Sequence, residues 1–327
     1  MNYTRITYVE RQQLKRWKQE KISDAEIARR LDRSPSTIGR EIKRNSGQRG
    51  YRPKQAQHKA EQRAKRPGPR VWTEPMWAEV QEKMQSLQWT PEIISERARM
   101  EGRRFVCKES IYQRLYKQAR EGGRLWEHLP RAGRKRHRRC PRKEGRGRGK
   151  LPFRRDISER PPEVSRRKSA GHWEGDLVNG AAGSGQIVSM VERRTRYTLL
   201  ARVESKDATQ VRKQMTGTAR RVDKRLFKTL TLDNGKEFAQ HRGMERDTGA
   251  RVYFATPYHS WERGSNENVN GLIRRLHPKG SDFSRLDAMQ LRRTEQWLNT
   301  RPRKILGWRT PEEQMAQEQA KAKRRRN

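Results

Sequence analysis

Three carboxylates in the second half of the chain have the residue types and surroundings that metal-assisted chemistry requires. Asp176 ends an apolar stretch, Asp233 follows another one, and Glu267 lies in a helical pattern. Magnesium prefers oxygen ligands in octahedral geometry and keeps some of its waters. Two such ions about 3.5–4 Å apart activate an attacking hydroxyl and stabilise the departing oxygen of a phosphodiester. These residues therefore predict a two-ion site for the cleavage or transfer of phosphodiesters.

Each acid has a simpler interpretation when it is taken alone. An Asp at a strand end is usually a turn or cap residue, and Asp233-Asn234-Gly235 is a common turn signal. Glu174 shares a strand face with Asp176 and could replace it as a ligand. Glu237 could serve the first turn of the next helix. The three acids favour a metal site only when their order along the fold is included.

The helical phase of Glu267 argues against a role in the core. At 100° per residue, Glu267 lies about 190° from the centre of the apolar face of its helix. That apolar face consists of Val269, Leu272, Ile273 and Leu276. The opposite face also carries Arg263, Asn270 and Arg274, which we predict to contact DNA beside the acids.

The elements that must position these acids form an alternating pattern. We predict strands at Trp173–Val178, Gln186–Glu192, Tyr197–Val203, Lys228–Leu232 and Val252–Ala255, and helices from Asp207, between the last two strands, and from Glu262 to Leu276. This order predicts an α/β sheet of mixed direction, with the ribonuclease-H-like succession of elements. Asp176 and Asp233 then lie at neighbouring strand ends and face each other, although 57 residues separate them.

The chain from about Val9 to Asn45 predicts a helix-turn-helix. Ser23 with Glu26 has the spacing of a capping box, and Ser34 with Pro35 marks the start of the next helix. Ile38 and Ile42 point inward on that helix. Its outer face is rich in hydrogen-bond donors that suit a major groove, namely Ser36, Thr37, Arg40, Lys43 and Arg44. The alternative is a solvated helical hairpin without a ligand.

A second segment of similar design spans Trp89 to Tyr116. Thr90-Pro91-Glu92 opens one helix, and a further helix after Gly102 carries Gln113 and Arg114 on its outer face. We predict a second helix-turn-helix with these two residues as DNA contacts. A helical spacer packed on its neighbours fits the pattern nearly as well.

The charge of the chain points to a polyanionic partner. Lys and Arg number 79 against 38 Asp and Glu, which gives a formal charge of +41 over 327 residues. Nucleic acid is the first candidate. No apolar run approaches the roughly 20 residues that span a bilayer, so we expect no membrane partner. Two cysteines argue against a disulfide scaffold, and His137 with Cys140 lacks the second pair that a zinc site needs.

Composition shifts divide the chain into five parts. We predict a multidomain protein with all-α helix-turn-helix modules at 1–66 and 70–130, a basic linker at 131–165, an α/β ribonuclease-H-like domain at 166–317 and a basic tail at 318–327. Helical patterns at Gln290–Trp297 and Pro311–Ala320 could either join copies of the chain or pack within it. We expect a homo-oligomer, at least a dimer on DNA.

Several strings resemble bacterial insertion-sequence DDE transposases of the IS-thirty family. In the catalytic half they are residues 172–178 (HWEGDLV), 232–238 (LDNGKEF) and 257–274 (PYHSWERGSNENVNGLIR). The closing stretch 298–312 and the N-terminal strings 31–38 (LDRSPSTI) and 89–94 (WTPEII) are also similar. The resemblance covers nearly the whole chain.

The resemblance implies a mechanism and a set of partners. It implies DDE roles for Asp176, Asp233 and Glu267, with 33 residues between the last two. It also implies Mg²⁺ or Mn²⁺ as cofactor, binding to terminal inverted repeats, strand transfer into target DNA, and a cytoplasmic, nucleoid-associated protein of a bacterium. Two alternatives stay open: an inactive helix-turn-helix regulator, and an integrase or nuclease of the same fold.

Overall fold

This computed structural model describes residues 5–64, 72–130, 132, 152–257 and 259–324. The chain divides into two compact units, Met1–Val71 and Trp72–Asn327. The Lys65–Arg70 break, the linker stretch 131–150 apart from Ala132, the His137–Cys140 pair and residues 325–327 lie outside the described residues.

In the first unit, residues 5–64 form four helices. They are α1 (Tyr8–Gln19), α2 (Asp24–Arg30), α3 (Pro35–Asn45) and α4 (Pro53–Ala64). The Ser23 side chain accepts a hydrogen bond from the backbone N–H of Glu26, and Ser34 accepts one from Thr37. These caps start α2 and α3 where the sequence predicts them. Leu14, Ile27 and Ile38 form the fully buried centre of this unit.

The second unit begins with a separate helical region. Its helices are α5 (Glu74–Gln85), α6 (Pro91–Met100) and α7 (Lys108–Arg120). Their apolar faces enclose a core of their own that includes Trp77, Met84, Ile94, Ile111 and Leu115. The Thr90 side chain caps α6, and Pro91 stands at its first position, as the sequence predicts.

A five-stranded mixed sheet forms the rest of the second unit. In chain order this part comprises α8 (Pro162–Arg166), β1 (His172–Asn179), β2 (Gln186–Glu192), β3 (Thr198–Val203), α9 (Ala208–Ala219), β4 (Thr229–Leu232), α10 (His241–Thr248), β5 (Arg251–Phe254), α11 (Gly264–Leu276), α12 (Ala288–Asn299) and α13 (Pro311–Arg324). The strand order is β3-β2-β1-β4-β5. Strands β1, β2 and β3 pair antiparallel, whereas β4 is parallel to both β1 and β5.

The sheet buries a separate apolar cluster on each face. On one face, Trp173 and Leu230 pack with Val211 and Met215 of α9. On the other face, Val178 and Ile187 pack with residues of α11 and α12. A side chain on β1 therefore lies on the α11 side or on the α9 side according to its position. Glu174 and Asp176 share the α11 side with Val178.

Helices α12 and α13 pack within the chain. Leu291 and Leu298 of α12 join the cluster on the α11 side, and Met315 of α13 joins the opposite one. Helix α13 continues to Arg324, whereas the sequence predicts a basic tail from residue 318 onward. Ala322, within that predicted tail, packs against the apolar core. Within the described ranges, no helix has the length and apolar character needed to cross a bilayer.

The end of the expected linker has structure of its own. The amide of Phe254 donates to the carbonyl of Arg155, and Asp156 forms a bridge to the same strand. Arg160 is buried and donates to the hydroxyl of Thr231, at 3.0 Å. Residues 154–165 therefore pack against the sheet because they supply hydrogen bonds to β5 and β4.

Candidate catalytic site and nucleic-acid surfaces

The register between β1 and β4 places Asp176 beside Asp233. The strands pair in parallel with His172 opposite Thr229 and Glu174 opposite Thr231. This register offset is 57 residues, the same spacing that separates Asp176 from Asp233. Asp233 follows the last residue of β4, so the two carboxylates stand next to each other where the paired strands end.

A guanidinium cation bridges the two aspartates. One terminal nitrogen of Arg263 lies 3.4 Å from Oδ1 of Asp176, and the other lies 3.4 Å from Oδ2 of Asp233. Arg263 also donates to the carbonyl of Gly175, at 3.2 Å. Burial raises the pKa of the Asp176 carboxyl, Arg263 lowers it in part, and neighbouring Asp233 raises it further. The site concentrates negative charge and already attracts a cation.

Asn270 orients the Asp176 carboxylate from α11. Its amide nitrogen donates to Oδ2 of Asp176 at 2.7 Å, and its amide oxygen accepts from the Ser189 hydroxyl at 3.1 Å. Because an ionised carboxylate can only accept, the amide nitrogen must face Asp176, and the amide oxygen then faces the Ser189 hydroxyl. Ser189 is a functional residue that the sequence reasoning missed. Its signal was a lone polar side chain in the middle of an apolar strand.

Gly175 has no room for a side chain. A Cβ at this position would stand 2.7 Å from Cδ2 of Leu232 and 2.9 Å from Cε of Met215. Glycine therefore permits α9 to close on β1 directly behind the two acids.

Glu174 has a different environment from Asp176. It is fully buried, and its Oε2 accepts hydrogen bonds from the backbone N–H groups of Ser265 and Asn266, both at 3.1 Å. Its Oε1 lies 3.0 Å from a guanidinium nitrogen of Arg193. Because Oε2 is engaged by the helix and Oε1 is buried against Arg193, the geometry favours Asp176 over Glu174 as the ligand. Arg193 is a second residue that sequence reasoning missed, because nothing in its turn distinguished it from the other arginines.

Glu267 stands apart from the aspartate pair. It is exposed and borders a shallow cleft together with Gly264, Asn268, Gly271 and Leu272. In the described part of the chain, no three acidic, histidine or cysteine side chains converge closely enough to hold one metal ion. Asn270, three residues further along α11, nevertheless contacts Asp176. The structure thus brings together Asp176, Asp233, Arg263 and Asn270, with Glu267 on the adjoining side of the same helix.

Arg274 contacts the backbone of β1 further along α11. Its guanidinium donates to the carbonyl of Asn179 and, at 3.4 Å, to that of Pro278. Partial burial lowers its pKa. These bonds already engage both terminal nitrogens of its guanidinium. The role of Arg274 as a DNA contact stays a prediction.

The outer face of α3 is accessible to solvent. Ser36, Arg40, Lys43 and Arg44 are exposed, and Thr37 is half-buried. Arg40 bonds within its own helix, to the carbonyl of Ser36 at 2.9 Å and to the Ser36 hydroxyl at 3.1 Å. Ile38 is fully buried on the opposite side. The structure therefore presents the predicted donors together on one face.

The outer face of α7 differs at Arg114. Gln113 is exposed, but the Arg114 guanidinium lies 4.6 Å from the Trp77 ring centroid and 5.2 Å from that of Trp72. It also pairs with Glu74 at 3.0 Å. This geometry favours a packing role for Arg114, and its contact with DNA stays a prediction.

Helix α6 is joined to the C-terminal helices of the same unit. Arg97 donates to both carboxylate oxygens of Glu313, at 2.9 and 2.6 Å. The Trp297 indole donates to the carbonyl of Leu87 at 2.9 Å, and Arg301 donates to that of Gln88 at 2.9 Å. The helical region of residues 72–130 is thus anchored to the domain that carries the acids.

Two family models match the chain, and both agree with the fold. A helix-turn-helix domain model matches residues 2–45. An integrase core domain model matches residues 166–260. The second match contains Asp176 and Asp233 and ends before α11.

Several transposases are similar to this chain over most of its length. The transposase InsI for insertion sequence element IS30A of Escherichia coli K12 is 38% identical over 317 residues, covering 94% of this chain and 82% of that protein. The transposase for insertion sequence element IS4351 of Bacteroides fragilis is 38% identical, covering 95% of both. The chain belongs to the IS-thirty family of transposases.

The predicted fold class of this transposase is confirmed for its N-terminal and catalytic parts. It has an N-terminal helix-turn-helix domain and an α/β integrase core of the ribonuclease-H-like class. A crystal structure of the catalytic core domain of BIV integrase is 18% identical, with a TM-score of 0.37, covering 47% of this chain and 99% of that one. The integrase core implies a divalent-metal-dependent DDE mechanism.

Proposed function

We propose that this transposase binds the terminal inverted repeats of an insertion sequence and catalyses strand cleavage and strand transfer with Asp176, Asp233 and Glu267 as metal ligands. One observation carries the proposal: Asp176 on β1 and Asp233, the residue after β4, stand side by side and share a single cation, the Arg263 guanidinium, whose two nitrogens each lie 3.4 Å from one carboxylate. Two carboxylates that converge on one positive charge form the core of a divalent-ion site.

The donor set suits magnesium or manganese. The Arg263 guanidinium stands between the two carboxylates, so the pair already attracts one positive charge. Carboxylate oxygens are the ligands that these hard cations prefer. When bound, two divalent ions would activate the attacking hydroxyl and neutralise charge on the departing oxygen. Glu267 adjoins the face of α11 that contacts Asp176, so we assign it as the third ligand. The assignment requires its side chain to turn towards the aspartates.

The residues around the site have distinct tasks in this proposal. Asn270 holds the Asp176 carboxylate in one orientation. The carboxylate therefore loses less conformational entropy when it binds a metal ion. Asp176 and Asp233 supply the charge. Arg263 and Arg274 are the cations on this face that we propose to meet DNA phosphates. Apolar packing on both sides of β1 keeps these groups on rigid elements.

DNA recognition is assigned to the helical modules. We propose that α3 enters a major groove and that Ser36, Thr37, Arg40, Lys43 and Arg44 supply its contacts. Gln113 of α7 is the exposed candidate in the second module. We further propose at least a dimer on DNA, because two element ends must be handled together, and association with the nucleoid because of the charge of +41.

A strand-transfer assay tests the catalytic assignment. The purified protein is incubated with DNA that carries the terminal repeats, a target plasmid and Mg²⁺, and the wild type is compared with Asp233→Asn. The amide keeps the shape but loses the ligand charge. We expect the rate of cleavage and transfer to fall by about 10³-fold or more, since the ions supply several kcal/mol and each 1.36 kcal/mol is tenfold.

The matched control is Asp282→Asn, an exposed acid in a turn of the same domain. It should leave the rate unchanged, and both variants should bind repeat DNA with the affinity of the wild type. Near-normal transfer by Asp233→Asn would remove the catalytic assignment. Cleavage without joining in the wild type would indicate a hydrolytic nuclease, and binding without cleavage would indicate a regulator.

A further inference from the structure

Helix α11 has no cap of its own at its N-terminus. Arg263 precedes it, and no side-chain bond caps the first turn from this position. By contrast, Ser34 caps α3 and Asp287 caps α12 from the adjacent residue. The first N–H groups of a helix need acceptors, particularly when they are buried. In α11 the acceptor comes from another element.

That acceptor is Glu174 of β1. Its Oε2 receives the N–H groups of Ser265 and Asn266 at 3.1 Å each, and the residues involved are 2% exposed or less. A carboxylate is the strongest acceptor available to a helix N-terminus, because charge-assisted bonds and the helix dipole add together. One side chain thus fixes the start of α11 to the strand that carries Asp176.

The turn between β2 and β3 supports this contact. Arg193 lies 3.0 Å from Oε1 of Glu174, and Arg196 donates to the Ser265 hydroxyl. Both arginines are largely buried. Glu174 is therefore the anion that balances a buried guanidinium and holds the helix at the same time.

The connection runs directly between the proposed ligands. Glu174 and Asp176 lie two residues apart on the same side of β1. Glu267 follows Ser265 by two residues on α11, and Asn270 lies on the same helix and contacts Asp176. A shift at the first turn of α11 would move both helical residues relative to the strand.

We propose that Glu174 is a positioning residue, which sets where α11 stands relative to β1 and thereby where Glu267 and Asn270 stand relative to Asp176. This inference rests on the proposed function, since it assumes that Asp176 and Glu267 bind the same ions. Glu174 itself contacts neither ion nor DNA. Its influence passes through the backbone of α11.

The test compares Glu174→Gln with the wild type in the full-length protein. A Gln oxygen can still accept from the helix but lacks the charge, so the hold on α11 weakens without creating a cavity. The first measurement is a titration with Mn²⁺ in the absence of DNA. It gives the Mn²⁺ concentration at half-saturation, because bound Mn²⁺ no longer contributes to the EPR signal of the free ion. We expect an increase of about 10-fold, the lower end of the effect of groups that orient metal ligands.

The second measurement is hydrogen exchange of the Ser265 and Asn266 amides. We expect exchange to become faster by tenfold or more in Glu174→Gln, while amides in α12 keep their wild-type rates. Because this measurement needs no ion and no DNA, it tests the helix contact even if the proposed chemistry is wrong.

Glu295→Gln is the matched control. Glu295 is also a buried carboxylate that ties a helix to the sheet, because it accepts from the Leu200 amide at 2.7 Å and pairs with Arg221. It acts on α12 rather than α11. We expect this variant to lower the melting temperature but to leave the Mn²⁺ half-saturation unchanged.

The double variant Glu174→Gln/Arg193→Gln separates position from stability. Loss of Glu174 alone leaves Arg193 buried without its counter-charge, which destabilises the fold. Removing both charges should restore the melting temperature while the Mn²⁺ half-saturation stays about tenfold raised. The double variant also remains measurable if the single variant does not fold.

The outcomes are distinguishable. Wild-type Mn²⁺ binding and wild-type amide exchange in the folded Glu174 variants would overturn the positioning role. Recovery of Mn²⁺ binding in the double variant would also overturn it, because stability alone would then explain the effect. Failure of the proposed function would appear differently, as a wild-type protein that binds no Mn²⁺ at the site or an Asp233→Asn variant that binds it normally.

Discussion

Helices α3 and α11 each turn a polar face away from an apolar stripe, yet the two polar faces have different surroundings. On α3 the side chains of Arg40, Lys43 and Arg44 are exposed, and the Arg40 bonds stay within the helix. On α11, Asn270 and Arg274 bond to β1. One polar face is open to a ligand, and the other is largely engaged with the sheet.

The difference indicates a division of labour. A solvated face can change its side chains without disturbing the fold, so α3 can be altered to suit a DNA sequence. A face bonded to the Asp176 carboxylate and to the backbone of β1 cannot change without moving them. Substitutions on α3 should therefore alter DNA affinity, and substitutions on α11 should alter the rate of the reaction.

Among the substitutions that test this comparison, the largest effect is expected at Asn270. Asn270→Ala removes the bond to Asp176 and the bond from Ser189. We expect the rate of strand transfer to fall by about 10–100-fold, the usual effect of losing a group that orients a metal ligand. The measurement is a single-turnover assay with Mg²⁺, and Asn268→Ala, an exposed position of the same helix, is the control. The comparison fails if Asn270→Ala weakens DNA binding as strongly as it slows the reaction.

Arg40→Ala tests the open face of α3. If Arg40 reads a base edge, binding to repeat DNA should weaken by about 1–3 kcal/mol, with little change for random DNA. The measurement is fluorescence anisotropy on both DNAs at one salt concentration. Arg29→Ala, an exposed arginine of α2, is the control. If Arg40→Ala weakens binding to repeat DNA and to random DNA equally, Arg40 contacts a phosphate rather than a base. The outer face of α3 would then contribute less to sequence specificity than we expect.

Acid should separate the two regions because, among the histidines that the structure describes, the buried ones lie in the sheet domain. His172 is 5% exposed and bonds to the hydroxyls of Thr229 and Ser169. Burial, aided by neighbouring Lys228, Arg193 and Arg160, lowers its pKa to about 4. The unfolded chain, with a histidine pKa near 6.5, then binds more protons between these values, so stability is lost as pH falls from 6.5 towards 4.

We expect the sheet domain to lose about 1–2 kcal/mol of unfolding free energy between pH 7 and pH 5 from His172. His172→Gln should flatten this dependence. Urea unfolding followed by hydrogen exchange reads the two regions separately. Residues 5–64 contain only the exposed His58 and provide the internal control. An equal loss of unfolding free energy in the sheet domain and in residues 5–64 would contradict the expected difference between the two regions.

The smallest effect is expected on α7, the counterpart of α3 in the second module. Arg114→Ala removes cation–π contacts with Trp77 and Trp72 and should lower stability by about 1 kcal/mol without changing DNA affinity. Gln113→Ala should leave stability unchanged. Thermal melting and anisotropy of both variants provide the measurements. Loss of DNA affinity in Arg114→Ala would make α7 resemble α3 instead.

Much of the fold was predictable because local patterns were strong. Strand β2 (Gln186–Glu192) has the predicted bounds, and the caps at Ser34 and Thr90 start α3 and α6 as expected. The end of the linker was not predictable, since residues 154–165 have little periodicity and are ordered by bonds to β4 and β5. Helix α13 extends to Arg324, and Ala322 packs against the core. The sequence did not predict this extension because the residues around Ala322 are mostly basic.

The sequence alone determined the order of elements, the helical phase of Glu267 and the 57-residue interval between Asp176 and Asp233, because these depend on period and spacing along one chain. Only the tertiary structure decided how β1 and β4 align, that Arg263 bridges the two aspartates, and that Glu174 holds α11 rather than competing with Asp176. The physical reason is that burial and partner choice for a polar side chain depend on residues as many as 216 positions away. Spacing places an acid on a face, and packing decides which group it meets there.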